Sequence, residues 1–455
     1  MPKKNLTGSL LVIRMSALLN QCNNFRFDNF FIAKLFFYSF PIILLFPSGY
    51  ITAHVSLLTI ATLILIYKKN IKIKLFIVDY LIFLLFFLSI ISTLKNIATL
   101  GNIIFIKSLL DLRFAIFFLI IRNLLSNNIV NLKLLSIITL LSSALLSFDI
   151  FLQHLIGHDI FGFKPFEGRY NGFFEHEAIA GSYIQKHFCL SLLSVFLIDF
   201  KKIAKIFLIT LIINILGLGI LLSLDRMPFI IFIFIIVILF FLMRNYRIIF
   251  FSNLIIVSLL FAFLFKNYEV ISSRYQYLNR DININKILDT ISINKIIKSP
   301  ENIVEEKSKN NNLFHGDYSK LYRAAYLVFL KNYIIGSGVK SFIYECIKLP
   351  EDKSSISCNN HPHNLYLEIL VNLGLLGIFI FIIFLFLITN KIVKSLLDKN
   401  IISTERITLI LFLTFFIAEL LPLRSYGSIF QVNNGSIFWF FLGLVSYINN
   451  FMIKK

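Results

Sequence analysis

Long apolar segments dominate the chain, and short polar connections carrying most of the charge separate them. The apolar segments run without interruption for about 18 residues or more, the length at which an α-helix crosses a bilayer. A membrane β-barrel would instead need strands in which apolar and polar residues alternate. The pattern therefore predicts an all-α integral membrane protein with about twelve transmembrane helices. The predicted spans are 33–49, 51–67, 75–94, 103–122, 131–152, 178–199, 203–223, 227–243, 248–266, 365–388, 405–422 and 435–451.

The distribution of lysine and arginine over the connections predicts the orientation. If the N-terminus is inside, the connections on that side from Lys68 to the C-terminus hold 17 of these residues, against 5 in the short connections on the other side. Because lysine and arginine are retained on the cytoplasmic side, we predict a multi-pass protein of the cell inner membrane with both termini cytoplasmic. The predicted layout is a cytoplasmic segment 1–32, helices one to nine in 33–266, a large periplasmic loop 267–364, helices ten to twelve in 365–451 and a cytoplasmic tail 452–455.

Composition supports the membrane assignment and argues against a nucleic-acid-binding protein. The 455 residues are 58% hydrophobic and include 52 Phe, and a mean hydropathy of +0.82 is too high for a soluble protein. The formal net charge of +20 would suit a nucleic-acid partner, but most basic clusters directly flank apolar segments, where they set topology. We therefore predict membrane lipids and no nucleic acid among the partners. We find no signal-peptide cleavage site in residues 1–32.

One motif lies where the large polar loop enters the tenth predicted helix. His363-Asn364 is followed by nine residues and then by Gly374-x-x-Gly377. A histidine just outside the hydrocarbon can transfer protons near neutral pH and reach a lipid-linked substrate. We expect Asn364 to cap the helix, and the two glycines to lie on one helical face that allows another helix to approach closely. The alternative is that His361 and His363 are ordinary loop histidines and the glycines only pack helices.

The motif resembles the signature of the O-antigen ligase family, whose relatives include the O-antigen polymerases and the protein O-oligosaccharyltransferases. Two further stretches resemble segments of that family: Arg323 to Phe342, and Gly168-Arg169-Tyr170-Asn171-Gly172-Phe173. The resemblance implies a metal-independent, inverting glycosyltransferase without a cofactor. Such an enzyme would move a glycan from undecaprenyl diphosphate to a lipid A-core hydroxyl in lipopolysaccharide biosynthesis, with His363 accepting the hydroxyl proton. The alternatives are an O-antigen polymerase and, from a different class, a transporter of lipid-linked sugars.

Arginines on the predicted outer face are the candidates for binding the diphosphate. A guanidinium keeps its charge and offers several fixed donors, and we assign this role to Arg169, Arg226 and Arg323. Arg323 is also expected to act with the histidine in catalysis. For Arg226, a salt bridge with the neighbouring Asp225 is the alternative. For Arg274, contact with lipid headgroups is the preferred interpretation, so its loss is expected to be mild.

Polar residues in or near the other apolar segments leave their roles open. His176, between two glutamates, and the pair His361 and His363 do not supply three or four converging ligands, so no metal is predicted. Lys186 and His187 interrupt the sixth predicted span, and Glu419 lies near the outer end of the eleventh. These three residues either line a substrate groove or pair with nearby charges.

Two cysteines lie in the predicted periplasmic loop. Cys346 and Cys358 are twelve residues apart in an oxidising compartment, where a disulfide would fasten the segment before the histidine motif. Two free thiols are the alternative, and we predict the bridge.

Overall fold

The computed structural model describes residues 29–281, 317–350, 356–398, 401–422 and 424–451. Predictions for the N-terminal segment up to residue 28, for 282–316 of the large loop and for the tail 452–455 lie outside these ranges. Within them the secondary structure is helical apart from one isolated β-bridge, which confirms the all-α prediction. The α-helices are α1 Phe31–Tyr38, α2 Phe40–Ile43, α3 Ser48–Tyr67, α4 Ile77–Lys95, α5 Ile97–Leu100, α6 Asn102–Leu110, α7 Leu112–Ser126, α8 Leu132–Ile156, α9 Ala180–Leu197, α10 Lys202–Leu222, α11 Arg226–Leu242, α12 Arg247–Asn267, α13 Glu269–Asp281, α14 Asp317–Lys331, α15 Phe342–Ile347, α16 Leu365–Leu397, α17 Ser403–Glu419 and α18 Val432–Phe451.

Six helices among the described residues are long and apolar enough to cross a membrane. Two shorter apolar helices accompany them. This length and composition fit an all-helical membrane protein; the number of twelve spans and their orientation stay predictions. The six are Ser48–Tyr67, Ile77–Lys95, Leu132–Ile156, Lys202–Leu222, Arg244–Asn267 and Leu365–Leu397.

Besides the span 365–388, which is broken at Gly374, two predicted spans are not continuous helices. The span 33–49 is divided at Ser39, whose hydroxyl lies 2.9 Å from Nε2 of His54. The span 103–122 is divided at Asp111, which is fully buried and accepts a 3.0 Å hydrogen bond from Nζ of Lys340. In both segments a polar side chain bonds to a residue from another part of the chain at the point where the helix is interrupted.

Helix α9 lies at the centre of the bundle. It packs against α8, α10, α11 and α17, and every side chain from Tyr183 to Phe196 is buried. Its polar residues therefore face protein and not lipid, as expected for polar groups in membrane proteins. The helix links the loop that precedes it to the segment that follows α17.

Helix α16, the longest, is interrupted at Gly374. The glycine has φ 65° and ψ −160°, outside the helical region. The segment 333–338 fills the break: the backbone N–H of Ser337 donates to the Val371 carbonyl at 2.8 Å, and the N–H of Leu375 donates to the Tyr333 carbonyl at 2.8 Å. Backbone groups released by the break are thereby satisfied, which a buried interruption requires.

Two glycines make this contact possible. A Cβ on Gly374 would lie 2.4 Å from the Ile334 carbonyl oxygen, and a Cβ on Gly336, which has φ 75°, would lie 2.3 Å from the Asn372 carbonyl carbon. The prediction that Gly374 and Gly377 share one helical packing face is therefore wrong, because Gly374 is not helical. It opens the helix so that backbone can approach backbone, a use for which a residue without Cβ is required.

Candidate functional site

His363 lies immediately before α16, in the predicted position. Oδ1 of Asn364 accepts 3.1 Å hydrogen bonds from the N–H groups of Tyr366 and Leu367, so Asn364 is the N-cap. Its Nδ2 donates to the Pro422 carbonyl at 2.5 Å. His363 itself has φ 55°, a left-handed conformation that a residue with a Cβ rarely adopts. Such strain persists where surrounding contacts fix the chain, and it concentrates at functional sites.

The ring of His363 is half-buried among polar and aromatic neighbours. The side-chain Nδ2 of Asn359 lies 3.0 Å from Nε2 of His363, and the His361 ring centroid lies 4.1 Å away. An amide can present either its NH₂ or its oxygen to this nitrogen, so Asn359 can support both the neutral and the protonated ring. Burial lowers the pKa of His363 below its ordinary value. Burial and the nearby His363 lower the pKa of His361 to about 4.

Helix α14 covers the histidine with two tyrosines. The Tyr318 ring lies 6.1 Å from the His363 ring, edge to face. One turn later, Tyr322 hydrogen-bonds with the Asn364 side chain. Arg323 follows Tyr322 and is exposed. These tyrosines were not among the residues predicted from the sequence, where their i, i+4 spacing next to the histidine motif was the available signal.

A disulfide closes the loop that leads to the histidine. Cys346 and Cys358 are bonded, with their Cα atoms 5.7 Å apart. Cys346 is fully buried in a small apolar cluster with Ala324, Val328 and Phe342. The bridge therefore attaches the segment carrying Asn359 to the layer formed by α14 and α15.

Arg169 is presented by a tight turn in the loop before α9. Phe166 and Arg169 exchange backbone hydrogen bonds of 3.0 and 3.1 Å, and Glu167 and Gly168 between them both have positive φ. This is the pattern of a two-residue hairpin turn. The loop is anchored beyond the turn by Gln153, whose Oε1 accepts a 3.0 Å hydrogen bond from the Gly172 N–H.

Asp225 connects Arg169 to the central helix. Its Oδ1 lies 3.3 Å from Nη1 of Arg169, and its Oδ2 accepts a 3.1 Å hydrogen bond from the Gly181 N–H at the start of α9. Burial raises the pKa of Asp225 to about 6, and the charges of Arg169 and Arg274 partly offset that rise. Asp225 therefore pairs with an arginine from a different loop, Arg169.

Arg274 on α13 lies close to the other arginines. Burial, followed by the charges of Arg169 and Arg226, lowers the pKa of Arg274. Like charges gather in this way at anion sites, where a bound anion offsets their repulsion. The preferred interpretation of Arg274 as a headgroup contact does not account for this neighbourhood. The geometry groups Arg169, Arg226 and Arg274 around Asp225, whereas Arg323 lies on α14 beside the histidine.

A buried polar network lies behind the histidine. Nη1 of Arg424 lies 2.5 Å from Oε1 of Glu419, and its Nη2 donates to Oε1 of Gln185 at 2.9 Å. The Tyr426 hydroxyl donates to Oε2 of Glu419 at 2.8 Å, and Nζ of Lys186 bonds to the Asn434 side chain. Lys186 and Glu419 were flagged by their position in apolar segments. Arg424 and Tyr426 were missed, because nothing local marks a loop residue as buried.

Metal ligands do not converge in the described part of the chain. No group of three or more His, Cys, Asp or Glu there is arranged to hold a metal ion. His176 instead lies 3.0 Å from Glu175, with both side chains exposed.

The middle of the chain, including the break in α16, matches a known protein family. Residues 189–382 match the family model described as O-antigen ligase. Among curated proteins, none matches this chain. The match covers the arginines at 226, 274 and 323, the disulfide and the complete motif from His363 to Gly377, whereas Arg169 precedes it. Residues 189–382 of this chain are therefore similar to the O-antigen ligase family.

Proposed function

We propose that the protein is an O-antigen ligase of the cell inner membrane. It transfers a glycan from undecaprenyl diphosphate to a lipid A-core hydroxyl at the periplasmic face. The observation that carries the proposal is His363, which has a strained backbone, directly precedes the N-cap Asn364 and lies within the family match. A histidine whose pKa is lowered is neutral at neutral pH and ready to accept a proton.

The arginines supply the donor side of the reaction. Arg169, Arg226 and Arg323 bind the diphosphate and stabilise the charge that collects on it as the glycosidic bond breaks. Asp225 holds Arg169 through a 3.3 Å contact, which fixes the direction of one guanidinium. Arginines in these positions make a metal ion unnecessary for neutralising the leaving group.

His363 acts on the acceptor as the general base. The acceptor hydroxyl gives its proton to His363 while its oxygen bonds to C1 of the glycan, and the bond from C1 to the diphosphate oxygen breaks with its electron pair leaving on the diphosphate. A single displacement inverts the configuration at C1. The Asn359 amide, 3.0 Å from Nε2, can then turn its oxygen towards the protonated ring.

Reconstitution with defined substrates tests the proposal. Purified protein in detergent, given lipid-linked glycan and lipid A-core with a chelator present, should form glycan-capped lipid A-core. Longer glycan on the undecaprenyl carrier would identify a polymerase instead. No product with either acceptor would contradict a glycosyltransferase, and movement of substrate between leaflets without bond formation would identify a transporter.

A further inference from the structure

A small cavity lies beside the buried lysine of α9. Its volume is about 60 Å³, and Ser182, Lys186 and Asn434 are among the polar residues that line it. Ile51, Phe174 and other apolar side chains form the rest of the wall. The cavity thus combines a cationic end with an apolar remainder.

Lys186 is buried with neutral partners. It is 4% exposed, its Nζ bonds to the Asn434 amide, and it lies 5.1 Å above the Tyr426 ring. The nearby carboxylate of Glu419 is already engaged, one oxygen by Arg424 and the other by the Tyr426 hydroxyl.

The network therefore carries excess positive charge in a buried place. Its contacts bring together two cations, Lys186 and Arg424, and one carboxylate, Glu419. Burying an ion without a counter-ion is energetically costly. An anion in the cavity next to Lys186 would remove that imbalance.

The size and lining of the cavity restrict the anion. A buried water needs roughly 10–15 Å³ of such space, so the cavity holds about as many heavy atoms as one phosphate group and excludes a sugar ring. The Ser182 hydroxyl, one helical turn before Lys186, can donate to such a group. The apolar wall favours a phosphate attached to a hydrocarbon chain over free phosphate.

We propose that this cavity binds the phosphate group of an anionic lipid, with Lys186 as the charge partner and Ser182 as a donor. Binding here does not require transfer chemistry at His363, which is not among the residues that line the cavity. None of the three arginines around Asp225 lines the cavity.

Lipid binding to the purified, delipidated full-length protein tests this site. Phosphatidic acid should bind and raise the melting temperature, whereas diacylglycerol, which lacks the phosphate, should not. Lys186→Met should reduce the affinity for phosphatidic acid at least about tenfold, the effect of losing one strong charge-assisted contact. The exposed Lys95→Met is the matched control and should bind like wild type.

A second substitution keeps the test independent of folding. Lys186→Met removes a buried charge, so the lipid-free variant should be at least as stable as wild type. Ser182→Asp places a carboxylate beside Lys186 and should also abolish phosphatidic acid binding. Wild-type affinity in either variant would overturn the site. If inorganic phosphate binds as tightly as phosphatidic acid, the proposal that the bound phosphate group belongs to a lipid is wrong.

The transferase proposal can fail separately from this one. His363→Ala should bind phosphatidic acid like wild type even though it loses transfer. Loss of lipid binding in that variant would contradict the separation of the two sites.

Discussion

The backbone N–H of Tyr426 donates a 2.8 Å hydrogen bond to the carbonyl oxygen of His363. The Tyr426 hydroxyl in turn donates to Glu419, which Arg424 engages. The strained backbone at His363, a conformation costing of order 1–3 kcal/mol, is thus tied to a buried network that extends into the central helix. The network fixes the backbone of His363, and the ring nitrogens of His363 remain available to Asn359 and the substrate.

His363→Ala should reduce transfer by about 10²–10⁴-fold, the usual contribution of a general base. His361→Ala is the control and should be tolerated better. Glycan transfer by purified protein measures both, with membrane levels confirming folding. Equal losses at the two histidines would contradict the assignment of the base to His363. In cells a blocked ligase should leave long glycans on the undecaprenyl carrier beside bare lipid A-core.

The pH dependence of transfer should reflect a base whose pKa is lowered by burial. The neutral ring is the active form, so transfer should be constant at neutral pH and fall only when the pH drops below the ordinary histidine range. The pH profile of kcat measures this. Activity that rises as the pH falls would indicate an acid in place of a base.

Arg323→Lys should lose most transfer although the charge is kept. An ammonium cannot reproduce the two-pronged contact of a guanidinium with a phosphate oxygen pair. Lys320→Ala, an exposed change on the same helix, is the matched control. Near-normal transfer by Arg323→Lys would mean that Arg323 contributes only its positive charge.

Arg274→Ala should raise the KM for the lipid-linked donor, because the structure groups Arg274 with Arg169 and Arg226. The comparison is Lys266→Ala, an exposed cation at the end of α12 that suits headgroup contact. Donor titrations of both variants measure the difference. Equal, small effects would restore the interpretation of Arg274 as a headgroup contact.

Gly374→Ala and Gly336→Ala should each strongly destabilise the protein, since an added Cβ would lie within 2.4 Å of backbone atoms and both positions have positive φ. Gly49→Ala is the matched control, because nothing lies within 4 Å of a Cβ there. Thermal unfolding in detergent measures all three. Wild-type stability of Gly374→Ala would mean that the break can close.

Local sequence was enough for the features that depend on local chemistry. The apolar segments predicted an all-helical membrane protein because a helix satisfies its own backbone in lipid. Asn364 was predicted to cap α16, and its side chain accepts from the two N–H groups that a cap serves. The spacing of His363, Asn364 and the two glycines was enough to indicate the family.

Only the tertiary structure decided which distant residues meet. That Asp225 meets Arg169, and that Gly374 opens a helix, depends on segments far apart in sequence. The tertiary structure also decides whether Lys186 has a counter-ion, because Arg424 and Tyr426 engage the two oxygens of the nearby Glu419. Contacts of this kind leave no periodic signal, because each depends on how separate helices pack and not on the residues beside it in the chain.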